Sequence, residues 1–126
     1  MSTLVLDTGA LLAIERYDRS IWAILAEARE RGTETVVPTT VLAQAWRGGP
    51  RSAPVARLLD ASVVDALDEQ RSKEVGIRLG ACGTSDVADG HVACVATARE
   101  AAVATSDPDD IAALGQPSAP IPLIAI

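Results

Sequence analysis

Short apolar runs alternate along this chain with segments of helical spacing, and no two-residue hairpin turn joins any two of the runs. Strands that follow one another without a hairpin must cross over to pair in parallel, and the intervening helix makes that crossover. Thr3-Leu4-Val5-Leu6, Thr35-Val36-Val37-Pro38, Val63-Val64, Ala102-Val103-Ala104-Thr105 and Pro122–Ile126 read as strands. Between them, helices are expected from Thr8 to Glu15, from Ser20 to Arg31, from Thr40 to Arg47 and from Pro54 to Leu59. Further helices are expected from Asp68 to Leu79, from Asp86 to Glu100 with Ser85 as N-cap, and after Pro108. Thr8 is the expected cap of the first helix, and Gly48-Gly49-Pro50 breaks the third. The pattern specifies an α/β domain with a central parallel sheet flanked by helices on both faces. At 126 residues the chain fits a single domain spanning 1–126, with no repeat or low-complexity linker.

The core of such a domain must be built almost without aromatic side chains. There is no Phe, one Tyr and two Trp, so Ala, Leu, Val and Ile fill the space between sheet and helices. The net charge of -6 runs against a nucleic-acid ligand, because phosphate contacts normally come from clustered cations. Net charge does not exclude a local basic surface, however, and Arg47 and Arg51 lie near Trp46. Cys82 and Cys94 are too few for a disulfide framework and read as ordinary thiols. His91 and Cys94 share a helix face, but further zinc ligands at suitable spacing are missing. Apolar stretches are short and interrupted by charge, so no membrane span is expected and the chain reads as cytoplasmic.

Chemistry enters through the acids. Asp7 ends the first strand, Asp107 ends the fourth, and Asp86 and Asp89 open the long helix between them. In open parallel sheets, ligands bind beyond the carboxyl ends of the strands. Asp86 and Asp89 are three apart, so they share a helix face with Cβ atoms roughly 5–6 Å apart. Carboxylates gathered in one crevice raise one another's pKa values, and a bound divalent cation relieves that repulsion. Oxygen-only donors suit magnesium or manganese, which support phosphodiester hydrolysis. Each acid also has a plainer role. Asp86, Asp89 and Asp107 sit where helix caps sit, and Asp109 and Asp110 read as a solvated first turn. Asp7 is harder to explain in that way, since a carboxylate against a buried strand costs stability unless paired.

Three segments carry a family resemblance. Leu4-Val5-Leu6-Asp7-Thr8-Gly9-Ala10-Leu11-Leu12 resembles the opening of PIN domains. Ser85-Asp86-Val87-Ala88-Asp89-Gly90-His91-Val92-Ala93 is similar to the family's second aspartate segment, and Ala104-Thr105-Ser106-Asp107-Pro108-Asp109-Asp110-Ile111 to its third. The resemblance implies a PIN fold and a VapC-like toxin ribonuclease of a toxin–antitoxin pair, dependent on magnesium or manganese. It carries over Asp7, Asp89 and Asp107 as catalytic, metal-binding carboxylates, with Asp86 as an additional ligand one turn away. Thr8 and Thr105 are then expected to orient these acids. An RNA substrate, a cognate antitoxin and a homodimer are the implied partners.

One position departs from the family. Where a Glu is usual in the helix after the second strand, this chain has Gln44, which offers an oxygen without charge. Glu15 does not replace it, being eight residues past Asp7, roughly 12 Å along a helix. The alternative is therefore a catalytically weak PIN domain that binds RNA or protein. Asp7-Thr8-Gly9-Ala10 also spells the aspartic-protease triplet, but that triplet belongs in β-built enzymes. Lys73, the sole Lys, sits mid-helix and reads as solvated rather than as a phosphate ligand. Trp22, Trp46 and Tyr17 are expected either in the core or as interface anchors.

Overall fold

The computed structural model describes residues 2–116 and 118–126. Five strands form one all-parallel sheet: β1 (Thr3–Leu6), β2 (Glu34–Pro38), β3 (Val63–Asp65), β4 (Ala102–Thr105) and β5 (Leu123–Ala125), in the order β3-β2-β1-β4-β5. Among the described residues seven α-helices accompany it: α1 (Thr8–Glu15), α2 (Arg19–Glu30), α3 (Thr39–Ala45), α4 (Ala53–Asp60), α5 (Glu69–Cys82), α6 (Val87–Arg99) and α7 (Pro108–Ala112). Helix α1 packs against α2, α3 and α4, while α5 packs on α6, which in turn lies against β1, β2 and α7. The α/β architecture expected from the alternation is the one observed. A β-built protease triplet is excluded, since Thr8-Gly9-Ala10 forms the first turn of α1.

Burial explains the strand order. Leu4, Val5 and Leu6 are all buried, as a strand covered on both faces requires, and β1 takes the centre. The edge strands β3 and β5 are three residues each and leave Val64 and Ile124 exposed. Helix α6 is enclosed almost completely: every residue from Ala88 to Ala96 except Asp89 is buried. A helix sheathed in this way needs small residues, and the run supplies Ala, Gly, Val and Cys. At Gly90 an added Cβ would meet Leu79 Cδ2 at 2.8 Å and Val75 Cγ1 at 2.9 Å, so glycine is what lets α6 lie against α5.

Several local expectations shift by a residue or two, and two caps change hands. Asp7, rather than Thr8, caps α1 by accepting the Ala10 N–H at 2.9 Å. Asp86, rather than Ser85, caps α6 by accepting the Asp89 N–H at 2.9 Å. A carboxylate accepts a charge-assisted hydrogen bond and sits favourably at the positive helix end, so it displaces the neighbouring hydroxyl. Helix α5 runs on to Cys82 before Gly83, at φ +68°, ends it in the left-handed conformation.

Candidate metal centre

The strand order creates a switch point. Strands β2 and β3 lie to one side of β1, and β4 and β5 to the other, so the loops leaving β1 and β4 diverge and open a crevice. Asp7 leaves β1 into it, and Asp107 follows β4 into it. The two strands are in direct register, Leu6 against Ala104, and the Asp7 N–H donates to the Ala104 carbonyl at 3.2 Å.

Asp7 is 5% exposed. Burial pushes its carboxyl above the ordinary range, and the negative charge of Asp107 pushes the same way; hydrogen bonds from Thr105 and the Ala10 N–H oppose both. Thr105, itself fully buried, also accepts the Asp107 N–H at 2.9 Å, so one side chain acts on the Asp7 carboxyl and on the backbone of Asp107. Asp107 sits at the N-cap position of α7, yet its side chain makes no capping hydrogen bond. The plain cap reading therefore does not account for its carboxylate.

Asp89 is the electrostatic centre of the group. Its carboxyl is raised to about 6, first by burial and then by the charges of Asp86, Asp110, Asp7 and Asp107. Asp89 thus senses both strand ends and both flanking helices. Asp86, Asp89 and Asp110 line a cleft of about 290 Å³ with Thr84, Cys82 and Ala113. Asp110 had read as part of a solvated turn. Its position three residues after Asp107, on a helix starting at the switch point, was the signal that it belongs here.

Gln44 faces the site from α3. Its Oε1 accepts the Thr8 hydroxyl at 2.5 Å, which ties α3 to the first turn of α1 immediately after Asp7. Glu15, by contrast, pairs with Arg51 at 3.0 Å at the far end of α1. Arg47 donates to the Trp46 carbonyl, and Trp46 remains 40% exposed. Tyr17 stacks on Trp22 with ring centroids 5.9 Å apart and is itself 61% exposed. Lys73 is exposed and pairs with Glu69.

The donor set is all oxygen, mostly carboxylate, and the charges acting on Asp89 among the described residues are those of other acids. That chemistry fits a hard divalent cation. Among the described residues, no three His, Cys, Asp or Glu side chains converge closely enough to hold an ion as they stand. The arrangement is a group of acids within electrostatic reach of one another, with Asp7 and Asp86 each engaged as a helix cap. Among the same residues, no helix is long and apolar enough to cross a membrane.

A second constellation lies beside the site and went unread in the sequence. His91, fully buried, makes 2.8 Å hydrogen bonds at both ring nitrogens: Nδ1 to Thr40 and Nε2 to Asp65. Arg71 grips both oxygens of Asp65, at 3.1 and 3.0 Å, and reaches Glu74 at 2.7 Å. Burial alone would raise the Asp65 carboxyl, but Arg71 and His91 outweigh it and hold it below the ordinary range. Asp65 ends β3 as Asp7 ends β1, and that parallel was the available signal.

No family model matches this sequence, and no curated protein does. Solved structures are similar in fold. VapBC2 from Rickettsia felis bound to a DNA fragment from their promoter includes a chain 15% identical to this one, with a TM-score of 0.68 and 98% of each chain covered. A chain of FitAB bound to an IR36 DNA fragment is 14% identical, with a TM-score of 0.70 and coverage of 97% of this chain and 94% of that one. FitAcB from Neisseria gonorrhoeae gives 16% identity, a TM-score of 0.61 and 96% of each chain. At such identity the likeness speaks for architecture: this chain is an α/β domain that shares its fold, over nearly its whole length, with chains of the VapBC2 and FitAB structures.

Proposed function

We propose that this protein is a metal-dependent endoribonuclease, the toxin half of a toxin–antitoxin pair. The observation that carries the reading is that Asp7, Asp86, Asp107 and Asp110 all lie within electrostatic reach of Asp89 and together raise its carboxyl. Similarity in fold to chains of VapBC2 and FitAB supports the toxin–antitoxin part of the proposal.

Asp7, Asp86, Asp89 and Asp107 would hold a magnesium or manganese ion, which supplies positive charge for a phosphodiester and activates water. The chain's own groups do the remaining work. Thr105 fixes the Asp7 carboxylate and, through its bond from the Asp107 N–H, the start of the Asp107 loop. Gln44 and Thr8 hold α3 against α1 at the mouth of the crevice. Asp89, with a carboxyl near 6, can give up a proton near neutral pH when positive charge arrives. A cognate antitoxin would occupy the same face, where a guanidinium paired with these acids would compete directly with the cation. A homodimer and a cytoplasmic setting complete the proposal.

The second reading keeps the fold and drops efficient cleavage. Gln44 stands where a charged ligand is usual in the resembled family, and its carbonyl is committed to Thr8, so the crevice is one carboxylate short. Incubation of structured and unstructured RNAs with manganese decides between them. Cleavage abolished by EDTA and by Asp7→Asn supports the nuclease; binding without cleavage supports the second reading.

A further inference from the structure

His91, the sole histidine of the chain, joins four elements through atoms that cannot move independently. Its ring lies on α6, Asp65 at the end of β3, Arg71 on α5 and Thr40 in the first turn of α3. The Asp65 oxygens already accept two Arg71 N–H groups, so Asp65 acts as the acceptor, and Nε2 carries the hydrogen it receives. In the neutral ring Nδ1 is then an acceptor, and the Thr40 hydroxyl donates to it. In the neutral ring every bond in this chain has one direction, and with both nitrogens bonded the ring is held in one orientation.

That orientation bears on the crevice from two sides. His91 is two residues beyond Asp89 and five beyond Asp86, in the same helix. Thr40 is four residues before Gln44, one turn away on the neighbouring helix. The close packing at Gly90 sets how far α6 stands from α5, but apolar contact does not fix its rotation or its height relative to α3. A directional hydrogen bond does. We infer that His91, locked between Asp65 and Thr40, is a positioning residue that registers the first turn of α6, with Asp86 and Asp89, against the Gln44 helix. The register stands on the geometry alone; its consequence for cation binding rests on the function proposed above.

The test uses the full chain with Thr40→Val, which keeps shape and removes the hydroxyl, and Thr40→Ser, which restores it. Thr40→Ala takes the place of Thr40→Val if the latter does not fold. Ile21→Val, a core change remote from the crevice, controls for general loss of stability. Hydrogen exchange is measured at the Asp89 and Gly90 amides, which bond to the Asp86 side chain and carbonyl, and manganese affinity is measured by calorimetry. Loss of one buried hydrogen bond corresponds to about tenfold faster local opening, and a loosened support to about tenfold weaker metal binding. We expect both changes in Thr40→Val, recovery in Thr40→Ser, and neither in Ile21→Val. Parent-like exchange at Asp89 and Gly90 in Thr40→Val overturns the inference, as does the same acceleration in Ile21→Val. A parent protein that binds no manganese overturns the metal reading instead, while the exchange measurement still decides the register.

Discussion

Replacing Gly9 by Ala places a methyl group where the end of β4 already stands. An ideal Cβ at Gly9 would lie 1.9 Å from the Ser106 Oγ and 2.7 Å from the Ser106 Cβ. The hydroxyl can rotate away, but the Cβ moves only with the backbone of the segment between Thr105 and Asp107. Overpacking of this kind costs about 1–3 kcal/mol. Helix propensity works the other way, favouring Ala over Gly by up to about 1 kcal/mol. The net expectation is a loss of up to about 2 kcal/mol, seen as a lowered urea midpoint with an unchanged m-value. The sign is the sharper test. In a Ser106→Gly background both clashing atoms are gone, so Gly9→Ala should turn neutral or stabilising by up to about 1 kcal/mol. Because the clash lies between Asp7 and Asp107, the single variant should also lose metal-dependent cleavage, and the double variant should regain it. Strictly additive stabilities across the four proteins would refute the reasoning, because the close approach of α1 to the β4 end would then not be what requires glycine.

Asp7→Asn preserves the cap on the Ala10 N–H and removes a charge that burial already disfavours, so it should stay folded while RNA cleavage falls by at least about 100-fold. Asp89 gives a pH dependence with a definite sign. Its carboxyl near 6 holds a proton that the unfolded chain, near 3.8, has lost, so this group favours folding below pH 4 and loses that contribution as pH rises towards 6. The gap is worth about 3 kcal/mol unscreened and about 1 kcal/mol for a partly exposed side chain; metal-free thermal melts should show the decline, and Asp89→Asn should flatten it. Gln44→Glu keeps the Thr8 hydrogen bond and adds a carboxylate, so calorimetry should find tighter magnesium binding and the metal-free protein should be slightly less stable. Asp86→Asn should then impair cleavage severely in the parent and mildly in Gln44→Glu; additive effects would reduce Asp86 to the cap it forms on the Asp89 N–H.

Much of this protein was legible without coordinates, and the limit follows the range of the physics involved. Periodicity and caps are local, so the alternation of strands and helices and the acids at Asp7, Asp86, Asp89 and Asp107 could be read directly. Even the errors were local: Asp7 and Asp86 took the caps expected of Thr8 and Ser85, because a carboxylate outcompetes a hydroxyl beside it. Strand order is not local. Nothing in the sequence states that β1 pairs with both β2 and β4, and that pairing is what opens the crevice and brings Asp107 within reach of Asp7, roughly a hundred residues away. The Asp110 charge beside Asp89, the Ser106 contact that demands Gly9, and the Thr40–His91–Asp65 chain share that origin. Each joins side chains from elements distant in sequence, whose separation is set by how helices pack on the sheet and not by any spacing along the chain.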